Sequence, residues 1–367
     1  MSLVLDSLEI QNFRAFKHLR IEKLGRVNLI VGKNNVGKSS VLEALDIYLN
    51  AGEITELLQI LVNRNELVGF GNQRVQETLT SSYERAMALR YLFYGRKDVR
   101  ENQDKIAIGP TTSAQHTLTI EVEWLPTSDK SQSIADNSVN AVLTPFVLVG
   151  IGSSFRSRYP LNLEFPGLFF TATPAYFTSR HVVTVQADGL KSRLINKFWD
   201  TIALSDAEAD VLSALRIIGP DLVALNLVGV ESKSGERVAK IRVAGVDEPI
   251  PLRSMGEGMN RMFGIALALV NAKDGMLLID EVDTGLHYSV LPDLWKLIFE
   301  VAHRLNVQVF ATSHSWDCIQ AFQLAAEENQ EEEGVLVRLE NRKAGIGAVT
   351  FDEMELAIVT REQIEVR

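Results

Sequence analysis

"VGKNNVGKSS", residues 31–40, closes the apolar run "RVNLIV" (26–31) with a glycine-rich turn that ends in Lys-Ser. Gly32-Lys33-Asn34-Asn35-Val36-Gly37-Lys38-Ser39 fits G-x-x-x-x-G-K-[ST]. Glycines in such a turn let backbone N–H groups converge on phosphate oxygens, and a helix starting near Lys38 adds its positive end. "KSSVLEALDIYLN" reads as that helix and "RVNLIV" as the buried strand before the loop, so the context is the required one. Lys38 is expected on the β- and γ-phosphates of a nucleotide, and the Ser39 hydroxyl on Mg²⁺. Gly32, Asn34, Asn35, Val36, Gly37 and Ser40 are expected to complete the cradle.

A chain of 367 residues can bury a substantial core and build more than one lobe. Its 46% hydrophobic and 23% charged residues are those of a globular protein. The net charge of −10 excludes a uniformly basic surface, so any nucleic-acid contact must come from a local patch. One cysteine, Cys318, rules out an internal disulfide and points to a reducing, cytoplasmic setting. Cys318 itself reads as packing. The opening "MSLVLDSLEIQNF" lacks the pattern of a signal peptide. The most apolar loop-like run, "AVLTPFVLVGIG" (141–152), is too short to span a bilayer, so no membrane segment is expected.

"LVLDSLEIQNFRAFKHLRIEKL" alternates as paired strands do. Helical spacing follows from about 54 to 94, then a strand in "HTLTIEVEWLP" (116–126) and an exposed loop at 127–140. Residues 140–250 mix short strands with helices such as "DGLKSRLINKFWDTI" and "DAEADVLSALRII". The finish alternates helix "GMNRMFGIALALVNA", strand "GMLLIDE", helix "GLHYSVLPDLWKLIFEVAHRL" and strand "VQVFATSHS". That order implies an α/β fold with parallel strands and crossover helices. "EENQEEEG" (327–334) reads as a solvated acidic turn. There is no internal repeat and no sustained heptad.

"MLLIDE" (276–281) delivers two acids from the end of a buried strand. Asp280 suits the Mg²⁺ shell, and Glu281 suits a general base aligning the attacking water. "VFATSHS" (309–315) ends a further strand with His314, 33 residues beyond Glu281. One helix and one strand fill that gap, which puts both at one sheet edge, with His314 near the γ-phosphate or the lytic water. In "SMGEGMNR" (254–261), Ser254, Gly256 and Gly258 leave N–H groups free at a helix start, a second anion site. One chain has no use for two γ-phosphate sites; two chains could complete each other's pockets.

The order of phosphate loop, "SMGEG", "LLIDEVDTGLH" and "ATSHS" resembles the ABC-type ATPase heads of the SMC, RecF and OLD group. "DEVDTGLHYS" with "TSHS" is most similar to OLD-family and related AAA-type ATPases of bacterial defence. The likeness covers residues 1–50 and 250–320. It implies an α/β ABC-type P-loop head with a mixed sheet, N-terminal antiparallel strands and an α/β insertion lobe. The single domain would have its core at 1–52 and 245–367 and its insertion at 53–244. "LEIQNFRAF" resembles the group's N-terminal strand motif, which implies a nucleotide contact for Arg14. The resemblance further implies an ATP-sandwich homodimer, Ser254 acting in trans and a D-loop at Asp283 to His287.

Residues 254–258 read SMGEG rather than LSGGQ. Gln73, Gln76, Gln103 and Gln115 all remain candidates for the glutamine loop. The absence of heptads excludes a long coiled-coil SMC protein. Only 53 residues follow His314, too few for the TOPRIM nuclease of full-length OLD proteins, so any nuclease is expected on a separate chain. "NKFWD" (196–200) has the wrong spacing for guanine recognition and reads as core. "YLFYGRKDVR" (91–100) and "SFRSRY" (154–159) interleave aromatic and basic residues as DNA contacts do, and also suit surface helix ends. The sequence thus describes an Mg²⁺-dependent ATP-hydrolysing switch controlling DNA or a partner effector. A RecF-like DNA-repair ATPase and a nucleotide-gated scaffold with little turnover are the alternatives.

Overall fold

Strand β3 (Val27–Val31) is buried along its whole length, because apolar layers cover both faces of its sheet. Its side chains part alternately: Val27, Leu29 and Val31 enter one core and Ile30 the other. Strands β12 (Met276–Ile279) and β13 (Gln308–Thr312) divide likewise. Leu277, Ile279, Val309 and Ala311 face one way, and Met276, Leu278 and Phe310 the other. With β8 (Val182–Val185), β14 (Gly334–Arg342) and β15 (Gly345–Phe351), the sheet order is β15-β14-β3-β13-β12-β8. Every pairing is parallel except that of β14 with β15.

This computed structural model describes residues 3–67, 82–100, 104–127, 142–153, 155–161, 181–229, 237–329, 334–343 and 345–361. Most of the loop expected at 127–140, the helical spacing at 68–81, residues 330–333 of the acidic turn and the glutamines 73, 76 and 103 lie outside the described residues.

On one face of the sheet, helices α4 (Ser192–Ile202), α5 (Asp206–Ile218), α6 (Glu257–Asn271), α7 (Leu291–Leu305) and α8 (Trp316–Glu328) bury their apolar stripes. Trp295 of α7 meets Phe322 of α8 edge to face at 4.9 Å, both fully buried. Truncating such an aromatic costs roughly 3–5 kcal/mol. Trp199, from "NKFWD", is buried in this core, as the sequence implies. A small antiparallel sheet of β9 (Leu222–Gly229), β10 (Arg237–Val243) and β11 (Ile250–Pro251) adds Leu222, Leu225 and Ile241 to the same core.

The other face is covered by α1 (Lys38–Leu49), α2 (Ile54–Asn63) and α3 (Ser82–Leu89). Over these lies an antiparallel sheet, in order β1 (Leu8–Phe13) beside β2 (Phe16–Ile21) and then β4 (Ile106–Gly109), β5 (Leu118–Thr127), β6 (Val142–Ile151) and β7 (Phe155–Pro160). The fold is therefore the expected α/β head with a mixed sheet and N-terminal antiparallel strands. Residues 53–244 supply strands to both six-stranded sheets, β4 to β7 to one and β8 to the other. Two local expectations differ. Residues 142–151 of the apolar run form strand β6, with Pro145 opposite Trp124, and residues 155–159 of "SFRSRY" lie in strand β7 rather than at a helix end. The C-terminal helix α9 spans Glu353–Arg361. No helix among the described residues is long and apolar enough to cross a membrane.

Candidate active site

β3, β13 and β12 are adjacent and parallel, so the segments leaving their carboxyl ends emerge side by side. β3 leads into the glycine-rich loop, where Gly32 has φ +145° and Gly37 φ +90°. Both positions also lack room for a side chain. A Cβ on Gly32 would stand 2.5 Å from the Leu339 carbonyl oxygen, and one on Gly37 2.6 Å from Phe16 Cζ. Lys33, Asn34 and Asn35 are exposed at the tip, with Asn35 left-handed at φ 65°. Val36 and Ser40 are buried. Lys38 Nζ donates to the carbonyls of Gly32 (2.8 Å) and Lys33 (3.1 Å), folding across the loop. Burial lowers the Lys38 pKa, against the opposing pull of the Glu281 and Asp280 charges.

The acids of β12 are drawn to the same place. Ser39 Oγ donates to Asp280 Oδ1 at 3.1 Å, across 241 residues of sequence. Thr312 Oγ1 donates to the same oxygen at 2.6 Å and accepts the Glu281 N–H at 2.8 Å. Glu281 has φ 49°, the left-handed region that a residue with a Cβ enters at a cost of about 1–3 kcal/mol. Its side chain is steadied by Thr284, whose hydroxyl donates to Oε2 at 3.1 Å. Its carbonyl accepts from Arg261 Nη2 (2.8 Å), which also donates to Asp280 O (2.6 Å), while Nη1 donates to Gln186 O (2.7 Å). Arg261 is 6% exposed, and that burial depresses its pKa against the pull of Asp280, Asp283 and Glu281. A cation this buried is tolerable because backbone carbonyls ring it.

His314 lies just past the end of β13 and is exposed; Ser315 behind it caps α8, its Oγ accepting the Cys318 N–H at 3.4 Å. Strand and helix therefore fix the backbone on both sides of His314. Ser254 and Gly256 are not on the phosphate loop. They are exposed at the start of α6, where a Cβ on Gly258 would stand 3.0 Å from the Gly285 carbonyl.

Arg14, expected at the nucleotide, holds two carboxylates in this structure. Its side chain is 6% exposed, with Nε 2.5 Å from Glu43 Oε2 and Nη1 2.9 Å from Glu66 Oε2. Glu43 stands one turn along α1 from Ser39 and also meets Arg64 Nε at 2.5 Å. Burial raises the Glu43 pKa, and Arg14 first, then Arg64, pulls it back. The guanidinium is thus occupied by two carboxylates that need a cation.

Sequence reasoning left the glutamine loop open, and the topology points to a residue it did not consider. β8 pairs with β12 so that Val185 faces Ile279, and Asp280 N–H donates to Val185 O at 2.9 Å. Gln186 therefore leaves the sheet beside Asp280. Gln186, Ser39 and Asp280 line one cleft of about 1010 Å³. Gln115, by contrast, lies in a short turn between β4 and β5.

A phosphate loop and two acids on the next strand but one are the parts of a P-loop ATPase, set here on an ABC-type α/β fold. Two family models match: "AAA ATPase domain" over residues 4–148, and "AAA domain, putative AbiEii toxin, Type IV TA system" over residues 169–317. An ATP/GTP phosphatase of Helicobacter pylori is 23% identical over 354 residues, covering 86% of this chain and 87% of that one. The DNA replication and repair protein RecF of Clostridioides difficile is 49% identical over 41 residues, 11% of each chain. Among solved structures, an SMC head bound to the C-terminal winged-helix domain of ScpA superposes with a TM-score of 0.50 at 12% identity. It covers 96% of this chain and 99% of its own. That likeness is one of fold.

Proposed function

We propose that the chain is an ATP-driven switch in which ATP joins two copies and hydrolysis releases them. The observation that carries this reading is the meeting of Lys38, Ser39, Asp280 and Glu281 at the ends of neighbouring parallel strands. Lys38 exchanges its loop carbonyls for the β- and γ-phosphates, and the loop's N–H groups hold the remaining oxygens. Ser39 and Asp280 fit Mg²⁺, since both offer hard oxygens, 3.1 Å apart. No cluster of three or more His, Cys, Asp or Glu residues suited to a metal exists among the described residues. Such an ion would be held by these two oxygens and by Gln186, with phosphate and water completing its ligands. When bound, Mg²⁺ neutralises the charge that develops on the transferred phosphoryl group. Glu281 accepts a proton from the attacking water or orients it, and His314 hydrogen-bonds the γ-phosphate.

Ser254 and Gly256 are assigned to the nucleotide of the second copy, which their exposure at a helix start supports. The switch would act on DNA or on a separate effector such as a TOPRIM-type nuclease. The "DEVDTGLHYS" and "TSHS" segments favour an OLD-type role in defence, and the AbiEii-related family match supports it. The local RecF match favours the alternative of a DNA-repair ATPase, which predicts hydrolysis stimulated by duplex DNA.

The test is the solution mass of the Glu281→Gln protein with and without Mg-ATP. An ATP-dependent doubling is expected. A mass indifferent to ATP refutes the sandwich and withdraws the role of Ser254.

A further inference from the structure

One hydroxyl joins the two acids at the end of β12. Thr312 is fully buried, lies on the neighbouring strand and precedes His314 by two residues. A hydroxyl has a single proton. The Glu281 amide can only donate, so the Thr312 oxygen must accept from it, which leaves the proton for Asp280 Oδ1. The two bonds therefore have a fixed sense, and the 2.6 Å contact has the length of a hydroxyl–carboxylate bond.

Each bond fixes something different. The bond to Asp280 sets the carboxylate's rotation, and the same oxygen receives the Ser39 hydroxyl. The bond from Glu281 N–H anchors a residue held at φ 49°, so its side chain leaves the strand in a direction ordinary extended backbone would not give. Glu281 reaches that conformation between two grips, Thr312 on its N–H and Arg261 on its carbonyl. Arg261 also holds Asp280 O and Gln186 O and so braces the wider framework. Among the described residues, Thr312 alone hydrogen-bonds both the backbone of one acid and the carboxylate of the other.

We propose that Thr312 is the positioning residue of the hydrolytic step: its hydroxyl sets the orientation of Glu281 relative to Asp280, and thereby separates holding ATP from cleaving it. This rests on the roles given above to Asp280 and Glu281. Phosphate binding does not pass through Thr312, since the loop's N–H groups and Lys38 supply it.

The hydroxyl and the methyl group of Thr312 make opposite predictions, which Thr312→Val and Thr312→Ser separate. Valine keeps the shape and loses both bonds; serine keeps the bonds and loses the methyl. For Thr312→Val, kcat is expected to fall about 10- to 100-fold, the scale of an ångström's misplacement of a reacting group. Affinity for a fluorescent ATP analogue in EDTA should stay within about threefold, because the loop is untouched. The gain in that affinity on adding Mg²⁺ should shrink in Thr312→Val and persist in Thr312→Ser. Thr312→Ser should turn over within about threefold of the parent even if its thermal midpoint drops.

The reverse order, with Val active and Ser impaired, shows that Thr312 only packs and overturns the proposal. Glu281→Gln serves as the control. If Thr312→Val turns over normally while Glu281→Gln is inactive, the proposal falls and the reading of Glu281 stands. If both turn over normally, both fall. Should the valine protein fail to fold, unimpaired Mg²⁺-dependent affinity in Thr312→Ala, with its melting midpoint as a check on folding, overturns the proposal equally.

Discussion

Replacing Glu281 by glutamine tests the chemical reading most directly, because the change is nearly isosteric and the surroundings are defined. Thr284 Oγ1 donates to Glu281 Oε2 at 3.1 Å. A glutamine keeps that bond only by turning its carbonyl oxygen to Thr284, which leaves the NH₂ facing the cleft. An NH₂ group is a donor, so the variant cannot accept a proton from water. The backbone grips of Thr312 and Arg261 do not involve the side chain and should persist. Loss of a general base slows turnover by roughly 10²–10⁴-fold, or about 2.7–5.4 kcal/mol at 1.36 kcal/mol per decade. Removing a negative charge beside Lys38 also leaves less repulsion against a triphosphate, so ATP affinity should hold or tighten. Phosphate release at saturating Mg-ATP reports the first quantity, and titration with a fluorescent ATP analogue the second. A kcat within about threefold of the parent, with the variant folded, refutes the assignment of Glu281.

Two further outcomes follow from buried charge. Asp46, two turns along α1 from Ser39, has its pKa pushed up to about 7, first by burial and then by the Glu56 charge, although Asn50 and Thr184 donate to it. The unfolded chain releases this proton near pH 3.9, so the folded state binds the extra proton in between. Stability from this group therefore falls as pH rises from about 4 to about 7 and is level above that. Asp46→Asn should flatten the dependence and gain about 1–3 kcal/mol at pH 8, read by urea unfolding at pH 5 and pH 8. Arg261→Met leaves the buried carbonyls of Gln186, Asp280 and Glu281 without their donor. After the relief of not burying a cation, a net loss of about 3 kcal/mol is expected. An unchanged urea midpoint would contradict the bracing role given to this side chain.

The parts of the site that were legible in the sequence are those whose geometry is local. A glycine-rich turn between strand and helix must leave N–H groups free, and a short apolar run must deliver the next residues to a sheet edge. The ion pairs of Arg14 were not legible, because its partner Glu66 stands 52 residues away and pairing at that distance leaves no periodic trace. The place of Gln186 beside Asp280 was not legible, because β8 has only four residues and its neighbour in the sheet is β12, nearly a hundred residues later. Strand β6 was read as a loop-like run; Pro145 within it has no N–H to donate, but its carbonyl still accepts the Leu161 N–H. Arg261 sits among the residues quoted for the signature turn, but its four carbonyl contacts come from two other segments. Polar side chains that act on backbone carry no spacing rule.

Both neighbours of β3 in the sheet, β13 and β14, come from the last seventy residues of the chain, and Gly32 is backed directly by the carbonyl of Leu339. During synthesis the loop at 31–40 leaves the ribosome well before its walls at 308–342. Non-local pairing of this kind is slow to form, because the closure of a long loop must come before any contact rewards it. A nascent chain lacking residues 308–342 thus carries the whole phosphate-loop sequence without its architecture. It lacks the two strands that flank β3 and the Leu339 carbonyl that backs Gly32.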